Sequence, residues 1–247
     1  MSNEPGAPTA PMAPLDPSIR AVLSNLSTAS ITMALLKSGL RNVWIRGARS
    51  IEPDYPRVVG RAFTLRFVPA REDLATPESL SSARSTRGAM DVIPEGCIAV
   101  ADAMGITDAG IFGDILCARM KYRGAAALVT DGAVRDLDGV RKTGLPTWCN
   151  GVAAPPSVTG LTFVGWQEPI GCGGVAIFPD DVIVLDADGA VVIPNSLVDQ
   201  VVKTAPHAEV FEAWVLQRVE EGRKLMGLYP PSDETIEEFQ AWQRERS

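Results

Sequence analysis

The sequence lacks the features that mark several common functional classes. Its four cysteines, Cys97, Cys117, Cys149 and Cys172, are too far apart for a Cys-x-x-Cys zinc or redox motif. No apolar run approaches the roughly 18 residues that a membrane span requires. Basic residues are also scarce, since 23 Lys and Arg stand against 30 Asp and Glu, whereas proteins that bind a nucleic-acid backbone cluster positive charge. These absences predict a soluble, cytoplasmic protein that binds neither nucleic acid nor a membrane.

The first 15 residues differ in composition from the rest of the chain. They contain Pro5, Pro8, Pro11 and Pro14 and no apolar segment of the signal-peptide type, which predicts a flexible extension. No composition break divides the remainder, and its length suffices for one sizeable core. We therefore expect a single domain over residues 16–228 and a helical tail over residues 229–247.

The hydrophobic pattern alternates between helical and strand periods. It predicts two short helices within residues 16–40, a half-buried strand over 61–67, and buried strands near 97–101, 125–129 and 146–149, with helices over 114–123 and 138–143 between the last three. Four short antiparallel strands are predicted over 161–164, 175–178, 182–185 and 191–193. A helical region over 197–225, interrupted by Pro206, and a charged helix over 232–246 follow. This order predicts an α/β domain with a mixed sheet flanked by helices.

The chemically informative feature is Asp114, followed after twenty residues by Arg135-Asp136. Asp114 precedes a predicted helix, and Arg135-Asp136 follows the next predicted strand. In an α/β layer, one helix and one strand bring the loops on either side to the same edge of the sheet. Carboxylates are suitable ligands for a hard cation, and a guanidinium binds a planar carboxylate through two hydrogen bonds. The spacing therefore predicts a small site that holds a cation and an anionic substrate.

The segments around these residues, Gly113-Asp114-Ile115-Leu116 and Gly124 through Asp136, resemble the core of the RraA-like family. That family joins class II 4-hydroxy-4-methyl-2-oxoglutarate/4-carboxy-4-hydroxy-2-oxoadipate aldolases with protein regulators of ribonuclease E. The aldolases carry the same Asp, twenty-residue gap and Arg-Asp. The likeness extends more loosely from about Leu26 to Pro194. It implies a swivelling β/β/α-type domain that assembles as a homotrimer or homohexamer with its site at a subunit interface.

The resemblance also implies roles for individual residues. Asp136 would be the ligand of a divalent cation, Mg²⁺ or Mn²⁺, and Arg135 would bind the substrate's oxygen atoms. The backbone N–H groups of Gly113, Asp114, Ile115 and Leu116 would hold the pyruvyl carboxylate, and Asp114 would orient water on the cation. The aldolases use a further acidic residue from a neighbouring subunit, which has no counterpart that can be aligned in this chain.

The implied reaction is a metal-dependent retro-aldol cleavage of a 4-hydroxy-2-oxo acid that releases pyruvate. Loss of carbon dioxide from oxaloacetate gives the same enolate, so an oxaloacetate decarboxylase side activity is expected. Two alternatives stay open. One is a non-catalytic regulator that binds ribonuclease E, and the other is a lyase or dehydratase of sugar-acid-derived 2-oxo acids. The stretch from Val68 to Arg87, with Arg71, Glu72 and Asp73, is where a different substrate tail would be recognised.

Simpler explanations exist for each candidate residue. Arg135-Asp136 would be a surface ion pair, and Asp114 a helix cap. Asp131 and Asp138 are interpreted first as turn-forming residues and second as outer ligands of the cation. Gly171-Cys172-Gly173-Gly174 is interpreted as a tight turn, because no Lys-Ser/Thr follows it as in a phosphate-binding loop. His207, the only histidine, lies far along the chain from the other candidates and is not expected to be catalytic.

Overall fold

The computed structural model describes residues 12–76 and 78–246. Most of the predicted N-terminal extension therefore lies outside the described residues. The strands are β1 Arg49–Ser50, β2 Val58–Pro69, β3 Ile98–Asp102, β4 Ala127–Thr130, β5 Ala133–Val134, β6 Thr147–Cys149, β7 Gly151–Val152, β8 Leu161–Trp166, β9 Val182–Asp186 and β10 Gly189–Ile193. The α-helices are α1 Pro17–Leu23, α2 Thr28–Lys37, α3 Thr86–Val92, α4 Asp114–Tyr122, α5 Leu137–Thr143, α6 Val198–Glu220 and α7 Asp233–Arg244. Short 3₁₀ turns lie at Glu78–Ser81, Ser157–Thr159, Cys172–Gly174 and Asn195–Leu197.

Within these ranges the main sheet has the order β1-β6-β4-β3-β2-β9-β10, and β8 also pairs with β2. Strands β2, β3, β4 and β6 are parallel, whereas β8, β9, β10 and β1 add antiparallel edges. The short strands β5 and β7 form a separate parallel pair. The predicted mixed α/β sheet with flanking helices is confirmed.

The parallel strands carry apolar side chains on both faces, as expected where helices or loops cover each side. On one face, Phe112, Cys117 and Met120 of the α4 region pack with side chains from β2 and β3. On the other face, Ala62, Ile98 and Val100 pack against residues of β9, β10 and the 170–177 loop. The sheet is therefore the centre of the molecule, and the carboxyl ends of its parallel strands lead into the site loops.

Strand β2 corrects one expectation from the sequence. A half-buried strand was predicted over residues 61–67, but Ala62 and Thr64 are as fully buried as Phe63 and Leu65. The reason is pairing, since β2 binds β3 on one side and both β9 and β8 on the other. A central strand with both faces covered no longer shows the polar alternation of a surface strand. Arg66 alone keeps an exposed side chain along its middle.

The antiparallel edge and the helices beside it match the sequence pattern with two exceptions. Residues 182–185 and 191–193 form the β9–β10 hairpin, but residues 175–178 make only an isolated bridge between Ile177 and Ile170. The helix α6 also continues through Pro206. Its buried residues lie on both sides of the proline, from Val198 to Val215, and this packing outweighs the roughly 3 kcal/mol that an internal proline costs.

The C-terminal helix α7 docks on α6 through an aromatic cluster. Phe239 lies 5.0 Å from Phe211 and 5.5 Å from Trp214, ring centre to ring centre. Phe239 is buried in this cluster, and Trp242 packs against it. Among the described residues, no single helix is long and apolar enough to cross a membrane; α1 and α2 reach that length only together, across a 103° bend.

Candidate active site

The segment before α4 and the segment after β4 are joined by backbone pairing. Ile111 donates its N–H to the Ala133 carbonyl at 2.9 Å, and Arg135 donates its N–H to the Phe112 carbonyl at 2.9 Å. Gly110 forms bridges with both Ala133 and Pro156. This strand-like contact places the residues on either side of the twenty-residue gap next to each other.

Glycines make this close approach feasible. A Cβ atom on Gly110 would lie 2.7 Å from the Cβ of Arg135 and 2.9 Å from the Ala153 carbonyl oxygen. A Cβ on Gly113 would lie 2.9 Å from Asp136 Oδ2. All three distances are below normal contacts. A side chain at Gly110 would therefore displace the backbone around Arg135, and one at Gly113 would push the Asp136 carboxylate aside.

Arg135 and Asp136 form a partly exposed pair at the end of β5. Arg135 Nε donates to Asp136 Oδ2 at 3.1 Å, and the two side chains are 37% and 50% exposed. Asp136 adopts a left-handed backbone conformation, with φ 53° and ψ 48°, at the N-cap position of α5. Its side chain makes no capping hydrogen bond to the helix. The carboxylate is therefore directed to the arginine and to solvent rather than to its own helix.

Asp114 is the first residue of α4, and Gly113 occupies the N-cap without a side-chain bond. Asp114 Oδ1 accepts the Ile115 N–H at 2.7 Å. The first-turn N–H groups of a helix have no acceptor within the helix, so those of Asp114 and Leu116 stay available to an anion. Gly139 of α5 lies beneath Asp114, where an added Cβ would be 2.7 Å from the Cβ of the aspartate. Asp114 is thus positioned by helix–helix packing rather than by a cap.

These residues line one cleft with a volume of about 270 Å³. All six residues named from the sequence, Gly113, Asp114, Ile115, Leu116, Arg135 and Asp136, belong to its lining. The lining also includes Leu80, Thr86 and Arg87 from the stretch over residues 68–87 named above, and it adds four residues that the sequence did not indicate: Gly110, Ile111, Pro156 and Ser157. Pro156 and Ser157 come from a separate segment of the chain, whereas Gly110 and Ile111 precede Asp114 closely but carry no reactive side chain.

Of the polar stretch over residues 68–87, only the last part reaches the cleft. Arg71 and Asp73 form an exposed ion pair at 2.6 Å with each other and do not line it. Arg87, at the far end of the stretch, does. The segment therefore contributes to the site through Arg87 rather than through the three charged residues at its start.

Asp131 does not line the cleft that holds Asp114 and Asp136. It is buried, and its carboxylate accepts N–H bonds from Ala103, Gly105 and Gly173 at 2.8, 3.0 and 2.9 Å. Burial raises its pKa above the usual value, while these backbone bonds counteract part of that shift. It lines a separate cavity of about 610 Å³ together with Arg46, Asp102 and Asn150. Its hydrogen bonds join the loop after β3, at Ala103 and Gly105, to the loop that contains Gly173.

The remaining residues considered from the sequence do not line the cleft. Asp138 has a side chain that is 90% exposed and does not line the cleft. The Gly171–Gly174 segment contains a 3₁₀ turn with φ of 56° at Gly173 and 75° at Gly174, which confirms a tight turn. His207 packs its ring edge against Phe239.

All four cysteines are buried and free, and burial raises the pKa of Cys117, the one next to the α4 start, to about 12. None of the four cysteines lines the cleft.

Comparison with known proteins places these observations in context. The model of the RraA-like family (Aldolase/RraA) matches residues 25–192, about two thirds of the chain. A protein of Halalkalibacterium halodurans named "Putative 4-hydroxy-4-methyl-2-oxoglutarate aldolase" is 33% identical over 183 residues, which cover 73% of this chain and 78% of that protein. Protein DlpA of Legionella pneumophila is 28% identical over 205 residues, 82% of this chain. The chain spans only 32% of the length of DlpA.

Solved structures share the fold. The crystal structure of Streptomyces coelicolor RraAS2, described as an unusual member of the RNase ES inhibitor RraA protein family, superimposes with a TM-score of 0.74 at 31% identity. The match covers 83% of this chain and 98% of RraAS2. An uncharacterized protein of Pseudomonas syringae gives a TM-score of 0.76 at 26% identity.

Proposed function

The chain belongs to the RraA-like family, and from this premise we propose that it is a divalent-metal-dependent aldolase. Its substrate would be a 4-hydroxy-2-oxo acid such as 4-hydroxy-4-methyl-2-oxoglutarate, cleaved to release pyruvate. Oxaloacetate decarboxylation would be a side activity, because it passes through the same enolate. The relative from Halalkalibacterium halodurans, whose name states this aldolase activity, supports the proposal.

The observation that carries the proposal is the composition of the 270 Å³ cleft. The guanidinium of Arg135, the carboxylates of Asp136 and Asp114, and the N-terminus of α4 meet there. A small 2-oxo acid carries a carboxylate and a carbonyl that suit these groups. A protein acting only through surface contacts has no physical need for this arrangement.

The carboxylates of the cleft suit a divalent cation that keeps part of its hydration shell. Within residues 12–76 and 78–246, no group of three or more His, Cys, Asp or Glu side chains is arranged as a metal cage. Two carboxylates in an open cleft nevertheless suit Mg²⁺, which usually keeps several waters and takes one or two protein carboxylates. Asp136, partly exposed and without a capping bond, would be the direct ligand, and Asp114 would be the second carboxylate. The bound ion would supply Lewis-acid stabilisation of negative charge on the substrate.

The protein's own residues would perform the remaining steps. Arg135 would bind the oxygen atoms of the 2-oxo acid, and the N–H groups at the start of α4 would hold its carboxylate. As the C3–C4 bond breaks, the C4 hydroxyl loses its proton, the C4 carbon becomes a carbonyl, and the electron pair forms a pyruvate enolate. Arg135 would stabilise that charge. Asp114, whose side chain lines the cleft, would take up the proton of the C4 hydroxyl and return it to C3, which gives pyruvate.

A second candidate is a regulator without chemistry that binds ribonuclease E. The similarity to RraAS2 over nearly all of that protein favours it, as do two exposed apolar side chains on α4, Ile115 at 80% and Tyr122 at 82%. The same side chains would equally serve the homotrimer or homohexamer that we propose for the aldolase. A lyase or dehydratase of sugar-acid-derived 2-oxo acids is the third candidate, because it would use the same enolate chemistry.

One assay separates these functions. Pyruvate release is followed from oxaloacetate and from 4-hydroxy-4-methyl-2-oxoglutarate, each with Mg²⁺ and with a chelator. Metal-dependent release from both substrates would support the aldolase. Release from oxaloacetate alone would indicate a decarboxylase or a different aldol substrate. Release from neither would refute the aldolase and leave the regulator and the sugar-acid lyase or dehydratase.

A further inference from the structure

Arg87 is the second guanidinium in the cleft lining, in addition to Arg135. It is an exposed residue near the start of α3, and its Nη1 donates to the Leu80 carbonyl at 2.8 Å. A guanidinium has five N–H donors, and among the described residues Arg87 has no carboxylate partner. Arg135, by contrast, is already paired with Asp136 at 3.1 Å. Arg87 is therefore the lining cation whose charge is not balanced by a neighbour.

The backbone beneath Arg87 is tightly fixed. An added Cβ on Gly88 would lie only 1.9 Å from the Ala83 carbonyl oxygen, so the start of α3 packs directly on the preceding turn. The side chain of Ser85 caps the helix, and the Leu80 carbonyl lies in the 3₁₀ turn Glu78–Ser81. Because the backbone of this segment is already fixed, ligand binding by the Arg87 side chain costs little additional backbone entropy.

The charges in the cleft indicate the class of ligand. Asp114, Asp136, Arg87 and Arg135 line it with a formal sum of zero. The divalent cation of the proposed function would make the sum +2, which a dianion neutralises and a monoanion does not. Without the cation, Arg87 is still the lining group that lacks a counter-charge. Both conditions favour a ligand with a second negative group beyond the one held at α4 and Arg135.

We propose that Arg87 is a specificity-determining residue that binds a second carboxylate, so that the cleft selects 2-oxo dicarboxylic acids over 2-oxo acids with a neutral tail. A guanidinium binds a carboxylate through two parallel N–H bonds, which gives geometric selectivity as well as charge. A volume of about 270 Å³ accommodates a short diacid. The reaction context rests on the proposed function, but the binding preference stands apart from it.

The test uses two non-cleavable acids of equal chain length, 2-oxoglutarate and 2-oxopentanoate, which differ in the distal carboxylate. Their affinities for the full chain are measured by calorimetry, with Mg²⁺ and with a chelator. The unmodified protein should bind 2-oxoglutarate more tightly. Arg87→Gln should weaken 2-oxoglutarate binding by about 10- to 100-fold, the usual range for losing a hydrogen-bonded charge partner, and leave 2-oxopentanoate binding unchanged. Arg87→Lys should retain part of the preference, since it keeps the charge but loses the bidentate geometry.

Arg84→Gln is the matched control. It removes the same charge three residues away, from a side chain that lines a neighbouring groove and not this cleft, and it should behave like the unmodified protein. Equal loss for both acids in Arg87→Gln, an equal effect in Arg84→Gln, or no preference or no binding in the unmodified protein would overturn the proposal. Selective binding of 2-oxoglutarate without pyruvate release from any substrate would refute the aldolase and leave the role of Arg87 intact. Pyruvate release together with unselective binding would support the aldolase and refute the role of Arg87.

Discussion

Asp136→Asn is the substitution that most directly separates chemistry from folding in this protein. Asp136 has a positive φ of 53°, a conformation that asparagine adopts more readily than most residues. Its ion pair with Arg135 is partly exposed on both sides, and such surface pairs contribute about 0–1 kcal/mol. The free energy of unfolding should therefore fall by no more than about 1 kcal/mol, a shift of about 2–4 °C in Tm for a chain of this size.

The effect on activity should be much larger. Metal-ion stabilisation of developing charge is worth several kcal/mol, so loss of the anionic ligand should lower metal-dependent kcat/KM by at least about 100-fold. Pyruvate release from oxaloacetate at varied Mg²⁺ concentration measures this, with thermal unfolding recorded on the same samples. Asp136→Ala should lose the same activity but also about 1–2 kcal/mol of stability, because alanine is strained at positive φ.

Asp138→Asn provides the control for this experiment. It makes the same charge change two residues away, on a side chain that is 90% exposed and outside the cleft, and it should leave turnover and Tm unchanged. Metal-dependent turnover that survives in Asp136→Asn would refute the assignment of the ligand. A loss of turnover accompanied by unfolding would mean that Asp136 acts through the fold instead.

Three further outcomes follow from the packing and charges described above. Arg135→Lys should lower kcat/KM for oxaloacetate by at least about 10-fold, because a point charge cannot replace the bidentate guanidinium; an unchanged KM and kcat would contradict that role. Gly139→Ala should gain about 1 kcal/mol of helix propensity and lose about 1–3 kcal/mol to overpacking against Asp114. The free energy of unfolding should therefore fall by about 0–2 kcal/mol, while turnover falls through displacement of Asp114. Full turnover in that variant would argue against a need for Asp114. Asp131→Asn should cost about 1–3 kcal/mol at neutral pH, since an amide cannot accept all three N–H bonds. The raised pKa of Asp131 means that its carboxyl group binds a proton more tightly in the folded protein than in the unfolded chain. The stability that protonation of Asp131 contributes is therefore fully present below pH 3.8 and decreases as pH rises through the raised pKa. Urea titrations at several pH values should find this pH-dependent part of the free energy of unfolding in the unmodified protein and not in Asp131→Asn.

Backbone pairing, rather than contacts between side chains, brings the charged residues of the cleft together. The pairing of residues 110–112 with 133–135 fixes where Asp114 and Arg135 meet. Gly110 and Gly113 permit that approach because they carry no Cβ. Substitutions at these glycines should therefore affect activity as strongly as substitutions of the charged residues that they position.

The sequence by itself determined most of the elements and the central trio of the site. Periodicity located the helices that became α1, α2, α4 and α5 and the strands that became β3, β4 and β6, because these signals are local. The spacing of Asp114 and Arg135-Asp136 sufficed to bring them together, since one helix and one strand connect them. The period of β2 was misleading because three strands pair with it, and Pro206 did not interrupt α6 because packing on both sides holds the helix.

Only the tertiary structure decided which other side chains join the site. Arg87 reaches the cleft from a segment far from Arg135 in the chain, whereas Asp131, four residues from Arg135, lines a different cavity. Asp131 follows β4 and is held by the N–H groups of Ala103, Gly105 and Gly173. Arg135 follows β5 and pairs with the segment before α4, so the short strand between them carries the chain from one cavity to the other. The sequence thus determined which charged residues meet in the cleft, and long-range packing determined the boundary of the cleft.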